Sequence, residues 1–397
     1  MVELNNPIEE QDFVYEENEQ NEQNELKRYQ INSYSVDRAV ETLIKWKRNN
    51  KLIVPEFQRD YVWTFSNCSR LIDSILLNLP IPNIFVFKVV EKGEEKYILV
   101  DGMQRITTID QFEEGTWKQS GKERKFKINL KTSNWYNKNF ANLDENDRQF
   151  FYDYPLSVMI FETSAKSDTE SKNVIFSVFE RINTGSEKLT EQEIRNTLYR
   201  GKCLEKLKEV IDSKDVFYRL IELDAGMQKR GKDLDFLIRI LSYYHIYNRS
   251  KLENKYLVDN DEDSKITTSK TVMLNNYLYY SNKDGIDYMN QLTDVLEALA
   301  TIEQLDESAL YCVKRDKSGI GTKVHQIFAE ALVIATILNK NKISLSKEQF
   351  INNKLALWKC EEFFYKTFTE KTTDPDNVVK RIDNMVRFIN GEEIWIS

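Results

Sequence analysis

The sequence is poor in the residues that most often announce a chemistry. Its 397 residues include only two histidines, four cysteines, 12 glycines and six prolines. His245 and His325 stand alone in YYHIY and KVHQI contexts, with no metal-ligand partner close by in sequence. That excludes a zinc site of the usual spacing and gives no support to a Ser-His-Asp arrangement. The four cysteines (Cys68, Cys203, Cys312 and Cys360) are far apart, which suits a reducing cytosol and excludes a disulfide framework. So little glycine and proline argues against a loop-rich β protein and for a helix-heavy one. No run of about 18 apolar residues is present, so no membrane-spanning helix is expected. The start, MVELNNPIEE, lacks the basic and then apolar regions of a signal peptide, and a cytoplasmic location is expected. There is no P-loop: GTWKQSGKE (115–123) has five residues between its glycines and Glu123 where Ser or Thr is required. KSGIGTK (317–323) reads as a flexible loop before a helix.

Apolar material is plentiful. Hydrophobic residues make up 41% of the chain and aromatics 12%, enough for a substantial core. The length allows two or three compact units. The net charge is -8, but residues 1–26 alone hold nine carboxylates and no Lys or Arg. The rest of the chain is therefore close to neutral. Residues 1–28 read as a disordered acidic tail. An acidic chain is a poor candidate for tight, non-specific DNA binding, because phosphate neutralisation drives that binding.

Beyond the tail, periodicity gives the elements. Val36, Val40, Leu43 and Ile44 mark a helix opened at Ser35. KLIV (51–54) reads as a short strand, and 67–78 as a helix with Leu71, Ile72, Ile75 and Leu76 inward. NIFVFKVV (83–90) and KYILVD (96–101) read as a hairpin. A helix runs from just after Asp101 to about Glu114, and LSVMIFE (156–162) is a strand. Helices dominate beyond residue 169, with a capping-box spacing at Thr190 and Glu193. The expected class is α+β, in three parts: the tail 1–28, a domain over 29–200 and a helical domain over 201–397.

Three clusters carry polar residues in places where a fold exposes them. In VPEFQRDYVW (54–63), Gln58 and Arg59 follow a strand, and Arg59 offers a planar donor fork for phosphate. The same residues also fit a surface arginine braced by Tyr61 and Trp63. In VDGMQRITT (100–108), a strand delivers Asp101 and Gly102 into a helix start. Glycine admits close backbone approach, and the first helical N–H groups favour an anion. Arg105 can pair with phosphate oxygens, and Asp101 can hold a divalent metal or orient water. An ordinary helix cap explains the Asp-Gly pair equally well. In FERINTGSEKLTEQEIRN (179–196), caps explain Gly185 and Thr190 but not the density of Arg, Asn and Glu around Arg181, Asn183 and Thr184.

Taken in order, these three clusters closely resemble the N-terminal family of GmrSD-type modification-dependent restriction enzymes, which is grouped with the ParB/sulfiredoxin fold. The resemblance is specific over about 35–200 and weaker into KRGKDLDFLIR (229–239) and KVHQIFAEALV (323–333). It rests on the family's Asp-Gly-x-Gln-Arg motif, matched by Asp101, Gly102, Gln104 and Arg105. Gln58 and Arg59 match an upstream Gln-Arg pair, and Arg181 and Asn183 a downstream Arg-x-Asn. Met103 stands where a second Gln is frequent, and Phe57 where Tyr is frequent.

The resemblance implies a ParB/sulfiredoxin-like domain followed by a mainly helical one. It also implies nucleotide binding and hydrolysis in anti-phage defence. Asp101, Gln104, Arg105 and Arg59 would be catalytic, and Asp101 the metal ligand. Gln58, Gly102, Thr107, Thr108, Arg181, Asn183 and Thr184 would contact the nucleotide. The implied cofactors are magnesium and a nucleoside triphosphate. DNA, a separate effector or nuclease subunit and self-association are the further partners it allows. Many relatives add a His-Asn-His nuclease domain, and neither His245 nor His325 has the setting for one. A ParB-like nuclease using the same cleft, or a non-enzymatic DNA-binding or scaffolding subunit, are the alternative readings.

Overall fold

A computed structural model describes residues 31–54, 61, 63–91, 93–119, 121–164, 168–182, 190–213, 216–221, 231–250, 269–283, 285–314, 316–369 and 372–394. The acidic segment 1–28 lies outside the described residues. The chain divides into two compact units, one over Arg28–Leu198 and one over Tyr199–Ser397. The class is α+β.

The first unit runs β1 (Ile31–Ala39), α1 (Val40–Arg48), β2 (Leu52–Ile53), α2 (Phe65–Leu76), β3 (Ile84–Glu91), β4 (Glu94–Asp101), α3 (Met103–Glu114), β5 (Thr116–Gln119), β6 (Lys122–Lys125), α4 (Glu145–Asp153), β7 (Pro155–Thr163), α5 (Asp168–Ile182) and α6 (Glu191–Leu198). Five strands form a mixed sheet in the order β1-β7-β3-β4-β2. β1 is antiparallel to β7, β7 parallel to β3, β3 antiparallel to β4, and β4 parallel to β2. Strands β3 and β4 form the hairpin expected from their two apolar runs. One core joins this sheet to the helices, through Val86, Leu99, Val158 and Ile160 on the strands and Leu43, Ile72, Ile109 and Phe151 on α1 to α4.

The helix expected from Ser35 begins later. Residues 31–39 pair with β7 along their whole length, and the Ser35 hydroxyl bonds Ser157 Oγ across the strands at 2.9 Å instead of capping a helix. The helical period is correct from Val40 onward, where Val40, Leu43 and Ile44 are buried. Val36 belongs to the strand. At Thr190 the capping box is present: Glu193 N donates to Thr190 Oγ1 at 3.2 Å, and Thr190 N donates to Glu193 Oε2 at 2.6 Å.

The second unit holds α7 (Lys202–Asp212), α8 (Val216–Ile221), α9 (Lys232–Ser250), α10 (Lys270–Asn282), α11 (Tyr288–Leu305), β8 (Tyr311–Val313), β9 (Ile320–Val324), α12 (Gln326–Leu338), α13 (Lys347–Lys359), α14 (Glu361–Phe368) and α15 (Pro375–Ile389). The segment read as a flexible loop before a helix is in part strand β9, paired with β8. His325 follows it as the buried N-cap of α12, its Nδ1 accepting from Phe328 N at 3.2 Å. Burial pushes its imidazole down to about 3, so it is a neutral acceptor at physiological pH. His245 pairs through Nδ1 with Gln291 Nε2 at 3.1 Å.

Lys354 of α13 is fully buried, with Nζ donating to the carbonyls of Ala309 and Tyr311 and lying 4.8 Å from the Phe328 ring centroid. It ties α13 to the β8 region. Burial pushes its amine down to about 7. The unfolded chain then holds a proton on this amine between about pH 7 and 10.5 that the folded chain has released. Stability contributed by this group therefore rises with pH across that window, by at most about 1.4 kcal/mol per pH unit. Urea unfolding of the parent and of Lys354→Met should show the difference: the parent gains on the variant from pH 7 to pH 9, and equal pH slopes would contradict the argument.

Candidate active site

The second cluster forms the best-defined polar site of the first unit. Strand β4 carries Asp101 to its end, opposite Phe85 of β3. The register slips by one residue there, since Val86 faces Leu99, and Val100 is the extra residue. A bulge of this kind bends a strand and re-aims the side chain that follows. Gly102 then turns the chain into α3 at φ +109°. A Cβ at this position would lie 2.6 Å from Ile84 Cδ1 and 3.3 Å from Arg105 Nη2. Only glycine fits both the backbone angle and the space.

One helical turn on, Arg105 folds back over the glycine. Its Nη2 donates to Asp101 Oδ2 at 2.8 Å and to the Asn83 carbonyl at 3.0 Å. The Arg105 side chain is 14% exposed and that of Asp101 42% exposed. Arg105 Nε is buried and has no hydrogen-bond partner among the described residues. A guanidinium and a half-exposed carboxylate thus meet at the start of α3.

The first cluster is tied to this helix at its downstream end. Tyr61 is buried, and its hydroxyl bonds Thr108 Oγ1 at 2.6 Å and Cys68 Sγ at 2.8 Å. Thr108 has no exposed surface, and its Oγ1 donates to Gln104 O at 2.7 Å. Trp63 N donates to Gln104 Oε1 at 3.2 Å. Two anchors therefore fix the residues just after Gln58 and Arg59 against α3; Gln58 and Arg59 themselves lie outside the described residues. Thr107 donates to Met103 Sδ at 3.5 Å, and Met103 packs against the core. Packing is what this position does here.

Residues 40–200 match the family model of the GmrSD restriction endonuclease N-terminal domain. They form a GmrSD-type N-terminal domain. No curated protein matches the chain. The family match ends at residue 200, so the weaker likenesses in 229–239 and 323–333 fall outside it.

Within the GmrSD-type domain, Arg181 is exposed at the end of α5, which packs against β4. Asn183 and Thr184 lie outside the described residues. Of the described polar residues after them, Thr190 and Glu193 cap α6, and Gln192 Nε2 donates to Asn196 Oδ1 at 3.0 Å. Arg195 is fully buried, paired with Glu191 and 5.5 Å from the Phe176 ring centroid. Sequence reasoning passed over Asn83, whose backbone carbonyl anchors Arg105, and Ile84, whose methyl excludes any side chain at position 102. Neither carries a signal of its own. Among the described residues, no group of three His, Cys, Asp or Glu is placed to hold a metal ion. Among them, too, no helix is long and apolar enough to cross a membrane.

Proposed function

We propose that the GmrSD-type domain binds a nucleoside triphosphate at the start of α3 and hydrolyses it, as sensor or regulator of a restriction-like anti-phage system. The observation that supports this most is the glycine at φ +109° with Arg105 folded over it. That arrangement sets a guanidinium beside the first turn of α3, whose N–H groups have no acceptor within the helix and favour an anion. Phosphoryl transfer asks mainly for positioning and charge neutralisation, which this site supplies without histidine.

In this reading Arg105 binds phosphate oxygens and stabilises charge as it develops. Asp101 orients the attacking water. Gln104, its carbonyl held by Trp63 N, positions that water or the transferring group. Thr108 braces the helix through Tyr61, and Thr107 lines its first turns. Arg59, Gln58, Arg181, Asn183 and Thr184 complete the nucleotide contacts. Asp101 Oδ2 is engaged by Arg105, which leaves Oδ1 for a cation. A single carboxylate oxygen fits a magnesium ion that arrives with the triphosphate and keeps its waters; it does not fit a resident ion caged by protein. Magnesium would supply neutralisation of the phosphate charge. A nuclease or effector function then falls to a partner subunit.

The test is phosphate release from ATP, GTP, CTP and UTP with magnesium, with and without DNA. Asp101→Ala and Arg105→Ala are each expected to reduce turnover by about 10²- to 10³-fold with native secondary structure retained. Turnover at the parent rate in either folded variant would remove the assignment.

A further inference from the structure

Seven of the 23 residues from Thr116 to Lys138 are basic (Lys118, Lys122, Arg124, Lys125, Lys127, Lys131 and Lys138) and one, Glu123, is acidic. In a chain of net charge -8, this is a local excess of six positive charges. All but Lys138 are exposed, and among the described residues no carboxylate pairs with any of the seven. Other lysines of the same unit do find partners: Lys45 with Glu41, Lys47 with Asp110, and Lys88 with Glu95.

The segment is also held rigid. Strands β5 and β6 pair as a two-stranded ribbon, with Trp117 opposite Arg124 and Lys118 opposite Glu123. Trp117 is buried in the core, and the Arg124 guanidinium lies 3.8 Å from the Phe65 ring centroid and 4.5 Å from that of Trp117. Gln111 clamps the Lys118 backbone from both sides, donating to its carbonyl at 3.0 Å and accepting from its N–H at 3.2 Å. Gln119 Nε2 donates to the Trp63 carbonyl at 3.3 Å. A lysine-rich face that serves only solubility needs no such clamping. The ribbon starts at the C-terminal end of α3, about 18 Å along that helix from Gly102 at 1.5 Å per residue.

We infer that the β5–β6 ribbon and the residues following it form a docking surface for duplex DNA, separate from the Asp101–Arg105 site. A two-stranded ribbon fits the width of a major groove, and unpaired Lys and Arg replace the counterions condensed on the phosphates. The inference does not depend on nucleotide turnover.

The test is fluorescence anisotropy of a short labelled duplex with the full chain, at salt from roughly 50 to 200 mM. The triple variant Lys118→Glu, Lys122→Glu, Lys125→Glu is compared with a control of equal charge change, Lys208→Glu, Lys342→Glu, Lys380→Glu, all exposed and on the second unit. All six side chains are exposed, so both variants should fold. The ribbon variant is expected to bind more than about tenfold more weakly. Its log-affinity against log-salt slope should shrink by about 2.7, three contacts at about 0.9 each. The control should keep the parent slope. An equal loss in both variants, no duplex binding by the parent, or retention of single-stranded RNA with duplex ignored would each overturn the inference.

Discussion

Glu330→Ala is expected to destabilise the helical unit by about 3–5 kcal/mol, read as a lowered denaturation midpoint and as lost hydrogen-exchange protection in α9 and α12. Arg239 Nε lies 2.5 Å from Glu330 Oε1, and the two side chains are only 6% and 2% exposed. Arg381 of α15, also buried, donates through Nη2 to the Thr372 carbonyl at 3.0 Å and adds its field to the same carboxylate. Burial pushes that carboxyl up, and the two guanidiniums oppose the push. Removing the carboxylate takes a counter-charge from Arg239 in a medium too apolar to replace it, and that penalty exceeds the loss of the contact itself. The double variant Arg239→Met with Glu330→Leu removes the charges together. It should recover most of the lost stability, because a buried pair often gains little over well-packed apolar groups. A single-variant cost below about 1 kcal/mol would mean that water reaches the pair, and the argument would fail.

Gly102→Ala is expected to abolish nucleotide turnover and to lower the stability of the GmrSD-type domain by about 1–3 kcal/mol. Two separable effects act. The left-handed angle at φ +109° strains any residue with a Cβ, and that Cβ would also meet Ile84 Cδ1 at 2.6 Å. Relief by movement would displace either β3 or the Arg105 guanidinium 3.3 Å away. Ile84→Val removes the offending methyl, so the double variant should regain the steric part of the stability and leave the backbone part lost. Phosphate release and urea midpoints of the four proteins in the cycle measure both parts. Parent-like turnover in Gly102→Ala would show that the left-handed cap is dispensable.

Much of this domain was legible because its elements carry strong local signals. The β3–β4 hairpin carries two continuous apolar runs, α3 follows directly on Asp-Gly, and Thr190 with Glu193 spells its own cap. The polar character of the second cluster was legible from residue types alone. What could not be read depends on the chain at a distance. Residues 35–39 have a helix-compatible pattern, and pairing with β7 makes them a strand. Strand β6, Lys-Glu-Arg-Lys, has no apolar alternation at all. It exists because Trp117 reaches the core and Gln111 holds the Lys118 backbone. The Asn83 carbonyl that anchors Arg105 is a backbone atom, and no side-chain motif can advertise it. Arg195 matched the density of a binding cluster, yet its guanidinium is spent inside the domain.

The pairing of Arg105 with Asp101 has a consequence for selectivity. An anion entering this site does not meet a bare cation. It must displace a carboxylate already 2.8 Å from the guanidinium, so its net gain is the difference between two counterions. Inorganic phosphate or sulfate, with few contacts to add, gains little from that exchange. A ligand that brings several linked phosphates, a metal ion to occupy the released Asp101 and a base to hold elsewhere gains on every term. On the function proposed above, the internal ion pair is expected to act as a threshold that disfavours small anions and admits a larger ligand able to outbid it.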